Sequence, residues 1–265
     1  MKYLYLTLSS IVIAYLVGVI FVYFYQRNLL YHPLENNYQN DKIEFNYEEI
    51  FIKSDDAELR SWIIEKDFKN LKSIVFFHGN AGDLSNRIYK LNELNKLDIN
   101  VLIISWRGFS GNKGSPTEKN LYADAQASIK WLSKKGVNNN QIILYGESLG
   151  TGVAVEIGKK NNYNSIILES PFTSIENSAK IYYPYLPVSL LLKDRYDSIS
   201  KIKMVNSPIL IMHGEKDDVV PFNMGKELFE KANNPKQFYF TPDDDHMMEF
   251  NSKLLNEIKK FIKKY

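Results

Sequence analysis

Short apolar runs alternate along the chain with longer segments in which apolar residues recur every three or four positions. The short runs lack polar interruptions, as expected of strands that are buried on both faces. The segment 118–133 instead has a helical period, because four of its apolar residues share one face: Leu121, Ala125, Ile129 and Leu132. This alternation predicts the α/β class, with one doubly wound, mostly parallel sheet.

The individual strands follow from the same pattern. Two early segments, 44–54 and 58–65, are joined by a short polar turn, so they are predicted to pair antiparallel. Each later strand is separated from the next by a loop or a helical segment, which predicts parallel pairing. These later strands are residues 73–77, 100–105, 141–145, 165–168, 208–212 and 236–240.

The N-terminal segment has a different pattern. Tyr3 to Tyr25 contains no charged residue and is long enough to span a bilayer, with aromatic residues toward its ends. A cleaved signal peptide would have a shorter apolar centre followed by small residues, whereas bulky residues here continue to Arg27. The sequence therefore predicts a transmembrane anchor over residues 1–25, a connector over 26–41 and one globular domain over 42–265. Its orientation stays open, because Lys2 precedes the span and Arg27 follows it.

Composition excludes several classes of function. The 265 residues include 33 basic and 31 acidic side chains, and a net charge of +2 gives no electrostatic case for nucleic acid binding. The chain has no cysteine, so it has neither disulfides nor thiolate metal ligands nor a cysteine nucleophile. The four histidines are His32, His78, His213 and His246, and no two of them are separated by a spacing typical of metal ligands. We therefore expect no metal and no cofactor.

The segment Gly146-Glu147-Ser148-Leu149-Gly150 carries the strongest chemical signal. An apolar strand enters it, and a run of small residues typical of a helix follows it. A G-x-S-x-G sequence between a strand and a helix is typical of a nucleophile elbow, in which the serine hydroxyl is exposed on a sharp turn. An ordinary glycine-rich turn is the alternative. The context makes Ser148 the candidate nucleophile.

A carboxylate and a histidine follow in the order that such a serine needs. Asp217 lies just beyond the strand 208–212, and His246 lies in the loop after the strand 236–240. Histidine would take the proton of the serine, and the carboxylate would orient the histidine. Asp243-Asp244-Asp245 offer alternative partners for His246, and their charges would raise its pKa.

An oxyanion-binding loop is predicted after the strand 73–77. There the run His78-Gly79-Asn80-Ala81-Gly82 begins. Backbone N–H groups of Asn80 and Leu149 would stabilise the negative charge that develops during acyl transfer. The alternative is a plain glycine loop before a helix.

Taken together, these motifs resemble the α/β-hydrolase superfamily and, within it, the Bem46-like family, which is related to the mammalian hydrolase-domain proteins 13 and 17. The resemblance implies a membrane-tethered serine hydrolase that acts on esters or thioesters. One difference is that three aspartates precede His246, where the family usually has a small residue. The resembling segments are residues 26–33, 78–82, 106–111, 114–118, 146–150, 170–175 and 213–221.

Residues 172–207 interrupt the alternation, and the resemblance to the α/β-hydrolase fold implies that this segment lies over the active site as a cap. Their stretch 181–192 is apolar and aromatic, so it either lines an acyl pocket or simply covers the sheet, and its two prolines exclude one long helix. Glu147 is expected to disfavour a strongly anionic group beside Ser148. We expect a lipid-like acyl substrate close to a membrane. A peptidase of the same fold and a non-catalytic tethered binding module are the alternatives.

Overall fold

The computed structural model describes residues 1–35 and 43–265 of the chain. The strands are β1 (His32–Pro33), β2 (Glu48–Ser54), β3 (Ala57–Ile64), β4 (Ser73–Phe77), β5 (Ala81–Gly82), β6 (Asn100–Ile104), β7 (Ile142–Glu147), β8 (Ser165–Glu169), β9 (Ile209–Gly214) and β10 (Lys236–Thr241). The α-helices are α1 (Lys2–Leu30), α2 (Ile88–Leu94), α3 (Glu118–Lys134), α4 (Leu149–Gly158), α5 (Ile175–Tyr182), α6 (Val188–Leu191), α7 (Ser198–Lys201), α8 (Phe222–Lys231) and α9 (Ser252–Lys264).

Within the described residues, eight strands form one sheet in the order β10-β9-β8-β7-β4-β6-β3-β2. The pairs β2–β3 and β3–β6 are antiparallel, and the remaining pairs of this sheet are parallel. This confirms the predicted α/β class and the antiparallel pair at the start of the domain. The carboxyl ends of the parallel strands meet at one edge of the sheet, where open α/β folds place their sites.

Both faces of the sheet are buried. Along β4, Val75 and Phe77 pack into the cluster under α3, α4 and α8, while Ile74 and Phe76 pack into the cluster under α2 and α9. Successive side chains of a strand point to opposite faces, so an uninterrupted apolar run serves two cores at once. This explains why the strand segments lack polar positions.

Helix α1 is 29 residues long and has no buried residue. A helix of this length extends about 43 Å, and its apolar composition also suffices to cross a membrane. It runs five residues past the predicted end at Tyr25, so the first five residues of the predicted connector are helical. Glutamine and arginine support a helix, and the extended conformation returns only at Tyr31, close to Pro33. Most of the remaining connector, residues 36–41, lies outside the described residues.

The cap consists of the short helices α5, α6 and α7 and their loops. The chain leaves the helical conformation between Tyr183 and Pro187, as the two prolines predict. Polar contacts fix the cap to α1. The Arg27 guanidinium donates to both carboxylate oxygens of Asp194 at 2.8 and 3.2 Å, and Gln26 donates to the Leu191 carbonyl at 3.0 Å. The membrane-length helix is therefore a structural part of the cap.

Candidate active site

Ser148 occupies a sharp turn between β7 and α4. Its backbone φ of +49° lies in a region that residues other than glycine rarely adopt. The two glycines of the motif permit the close packing of this turn. A Cβ added at Gly150 would lie 1.9 Å from the Phe77 carbonyl oxygen, and one at Gly146 would lie 2.5 Å from the Gly150 carbonyl oxygen. These positions show why the elbow requires glycine on both sides of the serine.

Three side chains from distant segments form a hydrogen-bonded series at the carboxyl edge of the sheet. His246 Nε2 lies 2.9 Å from Ser148 Oγ, and His246 Nδ1 lies 2.8 Å from Asp217 Oδ2. A carboxylate next to Nδ1 favours the tautomer with the proton on that nitrogen. Nε2 is then free to accept the proton of Ser148. The structure thus brings together the three residues that the sequence singled out.

The carboxylate of Asp217 is held by several donors. Its Oδ1 accepts from the backbone N–H groups of Val219 and Val220 at 2.9 and 2.7 Å, and its Oδ2 also lies 3.0 Å from His213 Nε2. Burial acts to raise the pKa of Asp217, but the hydrogen bonds from His213 and His246 outweigh it and hold this pKa well below its usual range. Asp217 is therefore ionised at neutral pH.

The aspartates before His246 have other partners. Asp243 pairs with Lys216 at 2.8 Å, Asp244 accepts from the Thr241 hydroxyl at 2.6 Å, and Asp245 accepts from the Met247 N–H at 2.9 Å. The geometry thus favours Asp217 over this cluster as the partner of His246.

An apolar cavity of about 230 Å³ opens above Ser148. Asn80 and Leu149, the two residues expected to supply the oxyanion hole, both line it. Within residues 1–35 and 43–265, neither backbone N–H makes a hydrogen bond to the protein. The side chain of Asn80 donates instead to the Leu30 carbonyl at 2.6 Å. Both N–H groups are therefore available to an oxygen bound in the cavity.

The cap contributes the opposite wall of this cavity, through Ile175, Ser178, Ala179, Tyr182 and Tyr183. The sequence left open whether the cap lines an acyl pocket or simply covers the sheet. The geometry favours the first interpretation, because cap residues form a wall of this cavity.

Buried charges lie beneath the elbow. Glu147 accepts from Arg87 at 2.6 Å and from Lys90 at 2.6 Å, and Lys90 also donates to Glu169 at 2.6 Å. Burial would raise the pKa of Glu147, but the charges of Arg87 and Lys90 outweigh burial and hold it well below its usual range. Glu147 does not line the cavity of Ser148. The expectation that it repels an anionic substrate is therefore wrong, because its charge is compensated away from the cavity.

Two residues of the site were not recognised as functional from the sequence. His213 lies at the end of β9 against Asp217, and its Nε2 also lies 3.0 Å from the Val220 carbonyl. Ser170, at the end of β8, donates to the backbone carbonyl of His246 at 2.9 Å and so fixes the histidine loop. Both belong to segments that carry the family resemblance. The role of Ser170 depends on a contact with a segment 76 residues away, whereas His213 lies only four residues before Asp217.

The sheet order, the strained elbow and the Ser148–His246–Asp217 series together define an α/β hydrolase. The profile of the prolyl oligopeptidase family matches residues 94–265, a span that includes all three of these residues, and the chain belongs to this family. The predicted membership of the α/β-hydrolase superfamily is thereby confirmed.

Individual proteins with similar sequences or structures agree with this family assignment. An uncharacterised protein of Mycobacterium tuberculosis is 38% identical over 175 residues, which are 66% of this chain and 62% of that protein. The chain thus matches less than two thirds of the length of this relative. Human α/β-hydrolase domain-containing protein 17B is 31% identical over 72% of this chain and 66% of its own length. An esterase of Pyrococcus furiosus has the same fold, with a TM-score of 0.72 at 19% identity, over 89% of this chain and 98% of the esterase.

Proposed function

We propose that this protein is a membrane-anchored serine hydrolase that cleaves acyl esters or thioesters through an acyl-serine intermediate. The observation that carries the proposal is the Ser148–His246–Asp217 series, whose serine faces an apolar cavity. The serine hydroxyl is a weak nucleophile at neutral pH, and a histidine within hydrogen-bond distance activates it.

In the first step, Ser148 Oγ attacks the substrate carbonyl carbon while its proton passes to His246 Nε2. The carbonyl oxygen becomes an oxyanion, which the N–H groups of Asn80 and Leu149 would stabilise. Asp217 remains ionised and stabilises the imidazolium through Nδ1. Collapse of the intermediate breaks the ester or thioester bond, and His246 returns the proton to the departing alcohol or thiol.

In the second step, water replaces the leaving group. His246 Nε2 takes a proton from this water, and the resulting hydroxide attacks the acyl-serine carbonyl. A second oxyanion forms in the same place and collapses to release the carboxylic acid, while Ser148 recovers its proton from His246. Both steps use the same residues, so no further catalytic group is required.

The lining of the cavity supports an acyl substrate, because its side chains are mainly aliphatic and aromatic. The name of the Pyrococcus furiosus relative, an esterase, agrees with this substrate class. The match to the prolyl oligopeptidase family favours a second candidate, hydrolysis of a peptide bond by the same residues. The two candidates differ only in the leaving group, so an assay decides between them.

The anchor is supported by the length and composition of α1 and by its contacts with the cap. These contacts continue to Tyr15, whose hydroxyl donates to the Tyr185 carbonyl at 2.9 Å. A helix that was cleaved off as a signal peptide would not be expected to carry such contacts over half its length.

A fluorophosphonate that labels active serines tests the proposal. We expect covalent labelling of the wild type, no labelling of Ser148→Ala, and a loss of kcat in this variant of roughly 10⁴–10⁶-fold. Ser110→Ala, which removes another buried serine hydroxyl, serves as the control. Labelling that is the same in Ser148→Ala and the wild type would contradict the proposal. Turnover of an aminoacyl amide that exceeds that of every p-nitrophenyl ester and acyl-cysteine thioester would instead favour the peptidase.

A further inference from the structure

The cavity above Ser148 is the inner end of a series of apolar cavities. A second cavity of about 140 Å³ shares Leu30, Ile175, Ala179 and Tyr183 with it. A third, of about 300 Å³, shares Val22, Leu29, Tyr183 and Leu186 with the second. Because consecutive cavities share lining residues, they adjoin one another in a row between α1 and the cap. We call this row of cavities the interhelix groove.

The charged and amide side chains in the walls of the second cavity are already paired with other groups of the protein. Arg27 bonds to Asp194 at 2.8 Å, and the Gln26 side chain bonds to the Leu191 carbonyl and to the Lys193 N–H at 3.0 and 2.8 Å. A charged or strongly polar ligand would lose its hydration without gaining an ionic partner there. The groove is therefore suited to a hydrocarbon chain.

The outer end of the groove lies beside Tyr15, Gly18 and Val19. The distance along α1 from Tyr15 to Leu30 is about 22 Å, similar to the length of an extended long-chain fatty acyl group. Residues 15–22 belong to the second half of the apolar stretch 3–25 of α1, which a bilayer would surround. The cap residue Tyr185, which lines the outer cavity, is 67% exposed, and Leu190 elsewhere in the cap is 84% exposed. Such exposure of large apolar side chains is unfavourable in water and favourable against lipid.

We infer that a long acyl chain embedded in the bilayer enters sideways along the interhelix groove, so that its carbonyl group reaches Ser148 while α1 forms one wall of its binding site. The inference rests on the proposed function, since it supplies the substrate of the same serine. Helix α1 then selects the substrate in addition to anchoring the domain. Substrates with long chains that already lie in the membrane are preferred.

Variants that fill the groove test the selectivity. We expect Val22→Trp and Gly18→Phe to lower the ratio of p-nitrophenyl palmitate to p-nitrophenyl acetate turnover in phosphatidylcholine vesicles by tenfold or more. A Cβ added at Gly18 would have no heavy atom within 4 Å, so this second variant has room to fold. Leu8→Trp adds an indole to α1 outside the groove and is expected to retain the wild-type ratio. Equal ratios in all four proteins would overturn the inference.

A photoreactive inhibitor locates the chain directly. A hexadecyl fluorophosphonate with a diazirine at the end of the chain would bond to Ser148 Oγ with loss of fluoride. It would then cross-link on illumination of the full-length protein in phosphatidylcholine vesicles.

We expect cross-links within residues 15–22, whereas a butyl analogue should cross-link only to residues around Ser148. Labelling of Ser148 with hexadecyl cross-links only outside residues 15–22 would overturn the groove but leave the serine chemistry intact. Absence of labelling would refute the proposed function and the groove together.

Discussion

At the scale of single residues, the site depends on how completely Asp217 is surrounded by donors. Two backbone N–H groups and two histidines contact one carboxylate. Each donor favours the charged form, and together they fix the orientation in which Oδ2 faces His246. The neighbouring acids lack such an arrangement, so the role of the acid is specific to this position.

We predict that Asp217→Asn lowers kcat by roughly 10⁴-fold, because an amide favours the wrong histidine tautomer. Asp218→Asn and Asp245→Asn are matched controls, since each removes one nearby charge without touching His246, and we expect changes of less than tenfold. Steady-state hydrolysis of a p-nitrophenyl ester by the three variants is the measurement. If Asp245→Asn were the most damaging, the acid would be misassigned.

The buried His78 makes stability depend on pH. Its Nδ1 lies 2.8 Å from the Gly79 carbonyl, and burial lowers its pKa to about 3, with a smaller contribution from the charge of Arg87. The unfolded chain binds a proton there below its ordinary pKa, while the folded protein does not. Between these two values, stability therefore falls as pH falls.

We predict that the free energy of unfolding drops between pH 6.5 and 5 by about 1.5 kcal/mol more in the wild type than in His78→Asn, which cannot take up a proton. Urea titrations in detergent micelles at both pH values measure this difference. Parallel pH profiles would show that His78 is protonated in the folded protein.

Ser148 and Asp217 were predictable because each follows the end of an apolar strand within a recognisable motif, and His246 because it follows the next strand in the order that such a serine requires. The contact between Ser170 and His246 joins residues 76 positions apart, and that between Lys90 and Glu169 joins residues 79 apart. Nothing in the local pattern of the chain indicates such pairs, because they arise from the order of strands in the sheet. The sequence therefore identifies the reacting groups better than the groups that hold them.

At the scale of elements, buried charges join α2 to β7, the strand that leads into the elbow, and to its neighbour β8. Lys90 is fully buried and bridges Glu147 at the end of β7 and Glu169 at the end of β8, while the Tyr145 hydroxyl donates to the second oxygen of Glu169. Apolar burial cannot fix the relative position of these elements, since it has no direction. The paired charges do so at one particular register.

We predict that Lys90→Met destabilises the protein by about 3–5 kcal/mol, because it leaves the buried Glu169 carboxylate without a cation and removes one of the two cations that contact Glu147. Lys96→Met is the control, since Lys96 is exposed and its pair with Glu93 should contribute at most about 1 kcal/mol. Chemical denaturation of both variants in micelles gives the comparison. Equal destabilisation by the two substitutions would show that the buried ion pairs of Lys90 contribute no more to stability than the exposed pair of Lys96 with Glu93.

The bounds of the central strands could be read closely from the sequence, since apolar runs end where polar loops begin. The end of α1 could not, because Gln26 and Arg27 look like the end of a membrane span. In the structure they remain helical and bond to the cap at Leu191 and Asp194. Contacts with the cap thus accompany a helix that extends to Leu30, whereas composition alone predicts that it ends at Tyr25.

At the scale of the whole molecule, one apolar helix and one hydrolase domain share a common surface. We predict that the full-length protein sediments with membranes after a high-salt wash, whereas a chain that begins at Gln26 is released. Salt removes proteins held by charge and leaves a spanning helix in place. N-terminal sequencing of the mature protein is the check, and a start after residue 20 would replace the anchor by a cleaved signal peptide.

The junction between α1 and the domain has a mechanical consequence. The Leu30 carbonyl accepts from the Asn80 side chain at 2.6 Å, and the His32 N–H donates to the Asn80 carbonyl at 2.8 Å, so that β1 pairs with β5 directly after the helix. No flexible spacer separates the helix from the loop of Asn80. A spanning helix tilts to match the hydrocarbon thickness around it. In the membrane-anchored hydrolase that we propose, the thickness of the surrounding bilayer would thus act on the geometry of the Asn80 loop, and the rate of hydrolysis would report on the lipid environment.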